Sequence, residues 1–146
     1  MNPVEIYTDG SCSPNPGDGG WGAIIYQEKN TPVEISGAEK NTTNNRMEMT
    51  AVIRSLEQIP PEAPVKITTD SQYLSKAFTE NWLKKWVRNG WKTSTRKPVK
   101  NADLWKRLLE LVEGRDCEWS WIEGHNNHPE NERCDTLANQ ARETMQ

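Results

Sequence analysis

The segments VEIYTD, Val4 to Asp9, and VKITTD, Val65 to Asp70, repeat one pattern far apart in the chain. Each has the period-two, β-branched character of a strand, and each ends on an aspartate that runs into serine within two residues. If the two strands lie side by side and parallel, both carboxylates emerge at one edge of a sheet. Binding crevices of open α/β sheets form outside the carboxyl ends of strands. This repeated ending therefore constrains both the fold and the place of its chemistry.

The remaining elements follow in order. PNPGDGGWG reads as a turn-rich connection, WGAIIYQEK as a second strand and, after the turn NTP, VEISGAE as a third. Three consecutive strands with short links predict an antiparallel meander. In TTNNRMEMTAVIRSLEQIP, Met47, Ala51, Leu56 and Ile59 fall near helical spacing, with Thr and Asn as caps and Pro60-Pro61 as the stop. After the fourth strand, SQYLSKAF reads as a short helix beginning just past Asp70. ENWLKKWVRNGW reads as another, closed by Gly90, and KTSTRKPVKN as a basic loop. ADLWKRLLELVEG is an amphipathic helix, CEWSWIEG an alternating strand and NERCDTLANQARETM a terminal helix. The order predicts an α/β protein, a mixed sheet covered by helices, in a single domain over residues 1–146.

Charge and cysteine usage narrow the function classes. No apolar run approaches the ~20 residues of a bilayer span, and MNPVEIYTDG enters a strand with no basic-then-apolar leader, so no membrane partner and a cytoplasmic location are expected. Three cysteines, Cys12, Cys117 and Cys134, with no CxxC pair read as reduced thiols. A zinc set of Cys134, His125 and His128 lacks the usual ligand spacing and is the weaker reading. The net charge of -3 hides an asymmetry: Lys84, Lys85, Arg88, Lys92, Arg96, Lys97 and Lys100 succeed one another with no acid between them. Trp82, Trp86 and Trp91 lie in or beside this run, and basic residues interleaved with tryptophan suggest a polyanionic partner.

Four acids stand out. Asp9 closes the first strand and Asp70 the fourth; Glu48 follows the helix cap by one turn, between Met47 and Met49; Asp135 sits in the first turn or so of the last helix, after GHNNHPEN. Singly each has an ordinary explanation: a turn residue, a solvated helical acid, a charge near a helix N-terminus. Together in one place they would repel, and would persist only beside something cationic. Hard divalent ions with oxygen ligands do this, and Mg²⁺ needs few protein ligands because it keeps water and takes phosphate oxygens. Spacing alone does not decide between the two readings.

The residues supply a further constraint. TDGSC with NPG…GG, TTNNRMEM, TDSQY, the segment WKT…PVKNADLWKRL and GH..HPENERCD together resemble type 1 ribonuclease H of the bacterial kind, in collinear order from about Val4 through Ala141. The resemblance implies a five-stranded mixed sheet, three antiparallel strands then two parallel ones, flanked by helices. It also implies an endonuclease that cleaves the RNA strand of RNA–DNA hybrids without sequence preference, leaving 5′-phosphate and 3′-hydroxyl ends. Mg²⁺ would be the cofactor, or Mn²⁺, two ions with substrate bound. The family's four acids fall on Asp9, Glu48, Asp70 and Asp135, with Asp9 bridging the ions, Glu48 and Asp70 sharing one with it, and Asp135 holding the other. His125 matches a loop histidine that shuttles a proton or assists product release.

By the same resemblance Cys12, Asn15, Asn44, Asn45 and Gln72 line the minor groove where the 2′-hydroxyl is read, with Glu48 also reaching it. Thr43, Arg46 and Asn101 match positions that hold a DNA-strand phosphate, and Trp82 one that packs on the deoxyribose backbone. The basic segment matches a protruding handle whose phosphate contacts give salt-dependent affinity without sequence preference. The chain departs from the family in places: Val87 and Asn89 stand where basic handle residues are common, Glu123 where Lys or Arg is often found, Asn126-Asn127 between the two histidines in place of small residues, and the spacing from TDSQY to the first tryptophan is one residue longer, around Glu80-Asn81. Monomeric action is expected. The rival readings are a hybrid-binding module without catalysis and a nuclease or strand transferase acting on DNA.

Overall fold

The computed structural model describes residues 2–28, 31–123 and 128–145. Its elements are β1 (Val4–Cys12), β2 (Gly17–Tyr26), β3 (Val33–Thr42), α1 (Asn44–Glu57), β4 (Val65–Thr69), α2 (Gln72–Thr79), α3 (Trp82–Arg88), α4 (Ala102–Val112), β5 (Cys117–Trp121) and α5 (Pro129–Thr144). They form one five-stranded sheet in the order β3-β2-β1-β4-β5. The β1–β2 and β2–β3 pairs are antiparallel, and β1–β4 and β4–β5 are parallel. The expected mixed sheet is therefore present.

The main core lies between the sheet and α1, α2 and α4, and contains Ile6, Ile25, Met49, Val52, Leu56, Ile67, Leu74 and Leu108. Trp105 of α4 is fully buried there, and its indole N–H donates to the Tyr73 hydroxyl at 3.0 Å. The helix α5 covers the sheet on β1, β2 and β3. It comes so close that a Cβ on Gly20 would meet the Ala138 carbonyl oxygen, and one on Gly22 would lie 2.6 Å from the Cys134 carbonyl oxygen.

Those glycines explain one correction. GDGG reads as turn sequence, yet it forms the start of β2, because each of its glycines lies too close to other chain for a side chain: Gly17 to Pro14, Gly19 to Thr42 and Met47, and Gly20 to Ala138 of α5. A second correction concerns β1, which does not stop at Asp9 but continues through Cys12, with Asp9 paired to Gly22 and Cys12 to Gly19. A third concerns α5, which starts at Pro129, a residue whose fixed φ suits the first helical position. Asp135 thus falls in the second turn, while Glu130 and Glu132 occupy the first.

Candidate active site

The parallel register brings the first two acids together. The β1–β4 ladder ends with Tyr7 opposite Thr68, so Asp9 and Asp70 each lie two residues beyond it, at matching heights. Past this point β1 is held on its other side by β2, and the chain after β4 turns into α2. Ser71 fixes that turn: its N–H donates to Thr69 Oγ1 at 3.0 Å, and its hydroxyl accepts from the Leu74 N–H at 3.2 Å, capping α2.

Glu48 arrives from α1. Thr43 caps this helix, its Oγ1 accepting from the Arg46 N–H at 3.2 Å, which sets Glu48 a turn inside. Close approach requires Gly10, where a Cβ would lie 2.5 Å from Glu48 N and 2.6 Å from Met47 C. We expect Gly10→Ala to push α1 off β1, lowering stability by about 1–3 kcal/mol and reducing activity with it. Urea denaturation and a hybrid cleavage assay would check this, and an unchanged midpoint and rate would contradict it.

One carboxylate oxygen each from Asp9, Glu48 and Asp70 lies within 4.8 Å of the others. Asp9 and Glu48 are buried and Asp70 is half-buried. Burial, then the Asp70 charge, raises the Asp9 pKa to about 7. Glu48 is raised well above its ordinary value, first by burial and then by Asp9 and Asp70. The Asp9 and Glu48 carboxyls hydrogen-bond to each other, and the Gly10 N–H donates to Asp9 Oδ1 at 2.9 Å. Among the described residues the buried Glu48 Oε2 has no hydrogen-bond partner. A crowded set of oxygens holding an unpartnered buried acceptor fits a hard divalent cation, whose charge would offset the repulsion and supply that partner.

Asp135, half-buried on α5, lines the same cleft and adds to the negative field on Asp9, though it lies outside the tight triad. The cleft, about 460 Å³, is also walled by Cys12, Asn44, Asn45 and Gln72. Asn15 borders this set, its Oδ1 accepting from the Asn44 N–H at 3.2 Å. Cys12 contributes little through its thiol, which is turned toward the Pro14 and Thr42 carbonyls at 3.2 and 3.3 Å. His125, Asn126 and Asn127 lie outside the described residues. Cys134 is fully buried with its thiol donating to the Tyr7 carbonyl at 3.3 Å, which suits a packed thiol and not a zinc ligand.

A second group forms where the N-termini of α1 and α4 meet. Arg46 makes a bidentate pair with Asp103 at 2.8 and 3.0 Å, and a further bond to Asn101 Oδ1 at 3.3 Å. Asn101 adopts a left-handed conformation (φ 61°), and its Nδ2 donates to the Tyr73 hydroxyl at 3.2 Å. Sequence reasoning placed Arg46 and Asn101 near a phosphate but missed Asp103, which already engages the guanidinium, and Tyr73, which joins α2 to α4. The spacing from Asn101 to Asp103 at a helix start was the available signal. Trp82 is half-buried, tilted between Tyr73 and Trp86 with centroids 6.3 and 5.9 Å away. All seven basic residues of the handle are exposed, and among the described residues none is in an ion pair.

Comparison with known proteins agrees with this geometry. The sequence profile described as RNase H matches residues 1–143. Ribonuclease H of Geotalea uraniireducens (strain Rf4) is 53% identical over 142 residues, covering 97% of this chain and 95% of that one. The structure of LC9-RNase H1, described as a type 1 RNase H with the type 2 active-site motif, superposes with a TM-score of 0.84 at 29% identity, over 100% of this chain and 75% of that one. A foamy viral protease-reverse transcriptase in complex with an RNA/DNA hybrid matches with a TM-score of 0.81 at 25% identity, over 99% of this chain and 21% of that one.

Proposed function

Because the chain belongs to the ribonuclease H family, among the bacterial type 1 enzymes, we propose that it hydrolyses the RNA strand of RNA–DNA hybrids at the Asp9, Glu48 and Asp70 cleft, without sequence preference. The observation that carries this is the convergence of those three carboxylates within 4.8 Å, in a cleft walled by Asn44, Asn45 and Gln72. Asp9, Glu48, Asp70 and Asp135 would hold two Mg²⁺ ions, or Mn²⁺, when the hybrid is bound. Such ions supply charge neutralisation at the scissile phosphate and a nucleophilic water of lowered pKa.

The chain's own residues orient and select. Short amides at Asn15, Asn44, Asn45 and Gln72 can donate to and accept from a 2′-hydroxyl without bulk, so DNA in the same place leaves them unpaired. Cys12 borders the same groove. Thr43, Arg46 and Asn101 take a phosphate of the DNA strand, which has to share the Arg46 guanidinium with Asp103. Trp82 packs against the deoxyribose backbone, and the exposed bases of the handle add salt-dependent affinity. His125 shuttles a proton or assists product release. The chain works as one domain, a monomer in the cytoplasm; no helix among the described residues is long and apolar enough to cross a membrane.

A labelled-duplex panel tests this reading. With Mg²⁺ only the RNA–DNA hybrid is cut, leaving 5′-phosphate and 3′-hydroxyl ends; chelation stops the reaction, and RNA–RNA and DNA–DNA duplexes persist. Comparable cutting of DNA–DNA, or tight hybrid binding without cleavage, would overturn it.

A further inference from the structure

β5 carries Trp119 and Trp121, two residues apart and so on one face of the sheet. Trp119 is covered, its ring stacked on Phe78 of α2 at 4.5 Å and 19°. Trp121 lies beyond that packing and is 41% exposed. It is nevertheless fixed in place: its backbone is paired with Thr69, and its indole N–H donates to the Asp70 carbonyl at 3.1 Å. With Gln72, Ser75 and Lys76 of α2 the ring lines a groove of about 260 Å³. Gln72 belongs to the wall of this groove and of the acid cleft, so the two hollows adjoin. Lys76 is exposed and, among the described residues, has no ion-pair partner.

A held but uncovered aromatic ring beside a solvated ammonium suits a sugar–phosphate strand, because the ring offers an apolar face to ribose or base and the ammonium a point charge to phosphate. The geometry points to this groove as a subsite for the RNA strand, taking a nucleotide that flanks the cleavage point on the β5 side. Lys76 pairs with its phosphate and Trp121 packs against its ribose. The RNA strand is the occupant because the shared wall, Gln72, belongs to the groove-reading set. None of Thr43, Arg46, Asn101 or Trp82, assigned to the DNA strand, lines the groove. The inference rests on the hybrid reading of the acid cleft and extends it past the reacting phosphate.

Steady-state cleavage of a labelled hybrid by the full chain with Mg²⁺, at several salt concentrations, tests it with Lys76→Ala, Trp121→Ala and Trp121→Phe. Lys76→Ala should raise KM about threefold or more and reduce the salt slope by roughly one. Trp121→Ala should raise KM about fivefold or more, while Trp121→Phe, which keeps a ring but no N–H, stays within about twofold of the native protein. Thermal melts check folding; if Trp121→Ala fails to fold, Trp121→Phe and Lys76→Glu decide, the latter expected to raise KM beyond Lys76→Ala. Unchanged KM and salt slope across the Lys76 variants would overturn the subsite. So would a loss of kcat at constant KM in Trp121→Phe, which would assign the indole to holding the Asp70 backbone. Absence of any hybrid cleavage by the native protein would instead sink the reading of the cleft itself.

Discussion

Asp70→Asn should abolish hybrid cleavage, with kcat falling by at least about 10³-fold, while the protein remains folded. The size follows from what the carboxylate does. A bound divalent ion is worth several kcal/mol of charge stabilisation at a reacting phosphate, and about 4 kcal/mol corresponds to three decades in rate. Asparagine keeps the shape but gives up the charge, so the triad of Asp9, Glu48 and Asp70 loses its ability to concentrate cations. Hybrid affinity should change much less, because the residues proposed to grip the strands lie elsewhere, on α1 and α2, in the segments just before α1 and α4, and in the handle. Single-turnover cleavage and a gel-shift assay on the same variant separate the two effects. A variant that still turns over within about tenfold of the native rate would show that Asp70 is a turn residue after all.

Asp9→Asn should stabilise the metal-free protein near neutral pH. The folded-state pKa of Asp9 is about 7, raised by burial and then by Asp70, against about 3.9 in an unfolded chain. Below about pH 4 the group is protonated in both states and costs nothing. As pH rises between those two values the unfolded chain releases its proton first, so stability falls, and the penalty is complete above the folded pKa. At about 1.36 kcal/mol per pKa unit, and with the repulsion shared among coupled carboxyls, a gain of about 2 kcal/mol or more is expected for Asn near pH 8. For a chain of this size that is about 4–8 °C in Tm. Near pH 4 the two proteins should melt together. Calorimetry in chelator across this range checks the sign; a variant less stable than the native protein at pH 8 would refute it.

Much of this was legible in the residues, for definite reasons. Strands with β-branched alternation and helices with caps announce themselves, so the element order and the mixed sheet came out as read. The matched endings of VEIYTD and VKITTD located Asp9 and Asp70, because strand register carries sequence spacing directly into space. Local patterns failed where tertiary contact overrides them. GDGG has turn composition, but its glycines answer to close contacts with Pro14, Thr42, Met47 and α5 that local sequence does not show. For Glu48 the helix's own sequence left a solvated acid and a metal ligand both open, since nothing in it tells which residue sits over Gly10, and only the family resemblance singled it out. Arg46 had no visible partner because Asp103 reaches it only through the meeting of two helix starts. The Trp121 groove was equally hidden, since its exposure depends on how far α2 extends over β5.

The claim beneath all of this is that the buried acids exist to hold cations. The most direct measurement is the melting temperature of the native protein and Asp9→Asn near pH 8, first in chelator and then in saturating Mg²⁺ or Mn²⁺. A ligand that binds only the folded state raises its stability in proportion to the logarithm of ligand concentration over Kd. The native protein should melt below the variant in chelator and gain strongly on adding metal, while the variant gains little, so that the gap closes or reverses. A native melt that ignores the metal, or equal gains in both proteins, would contradict the account.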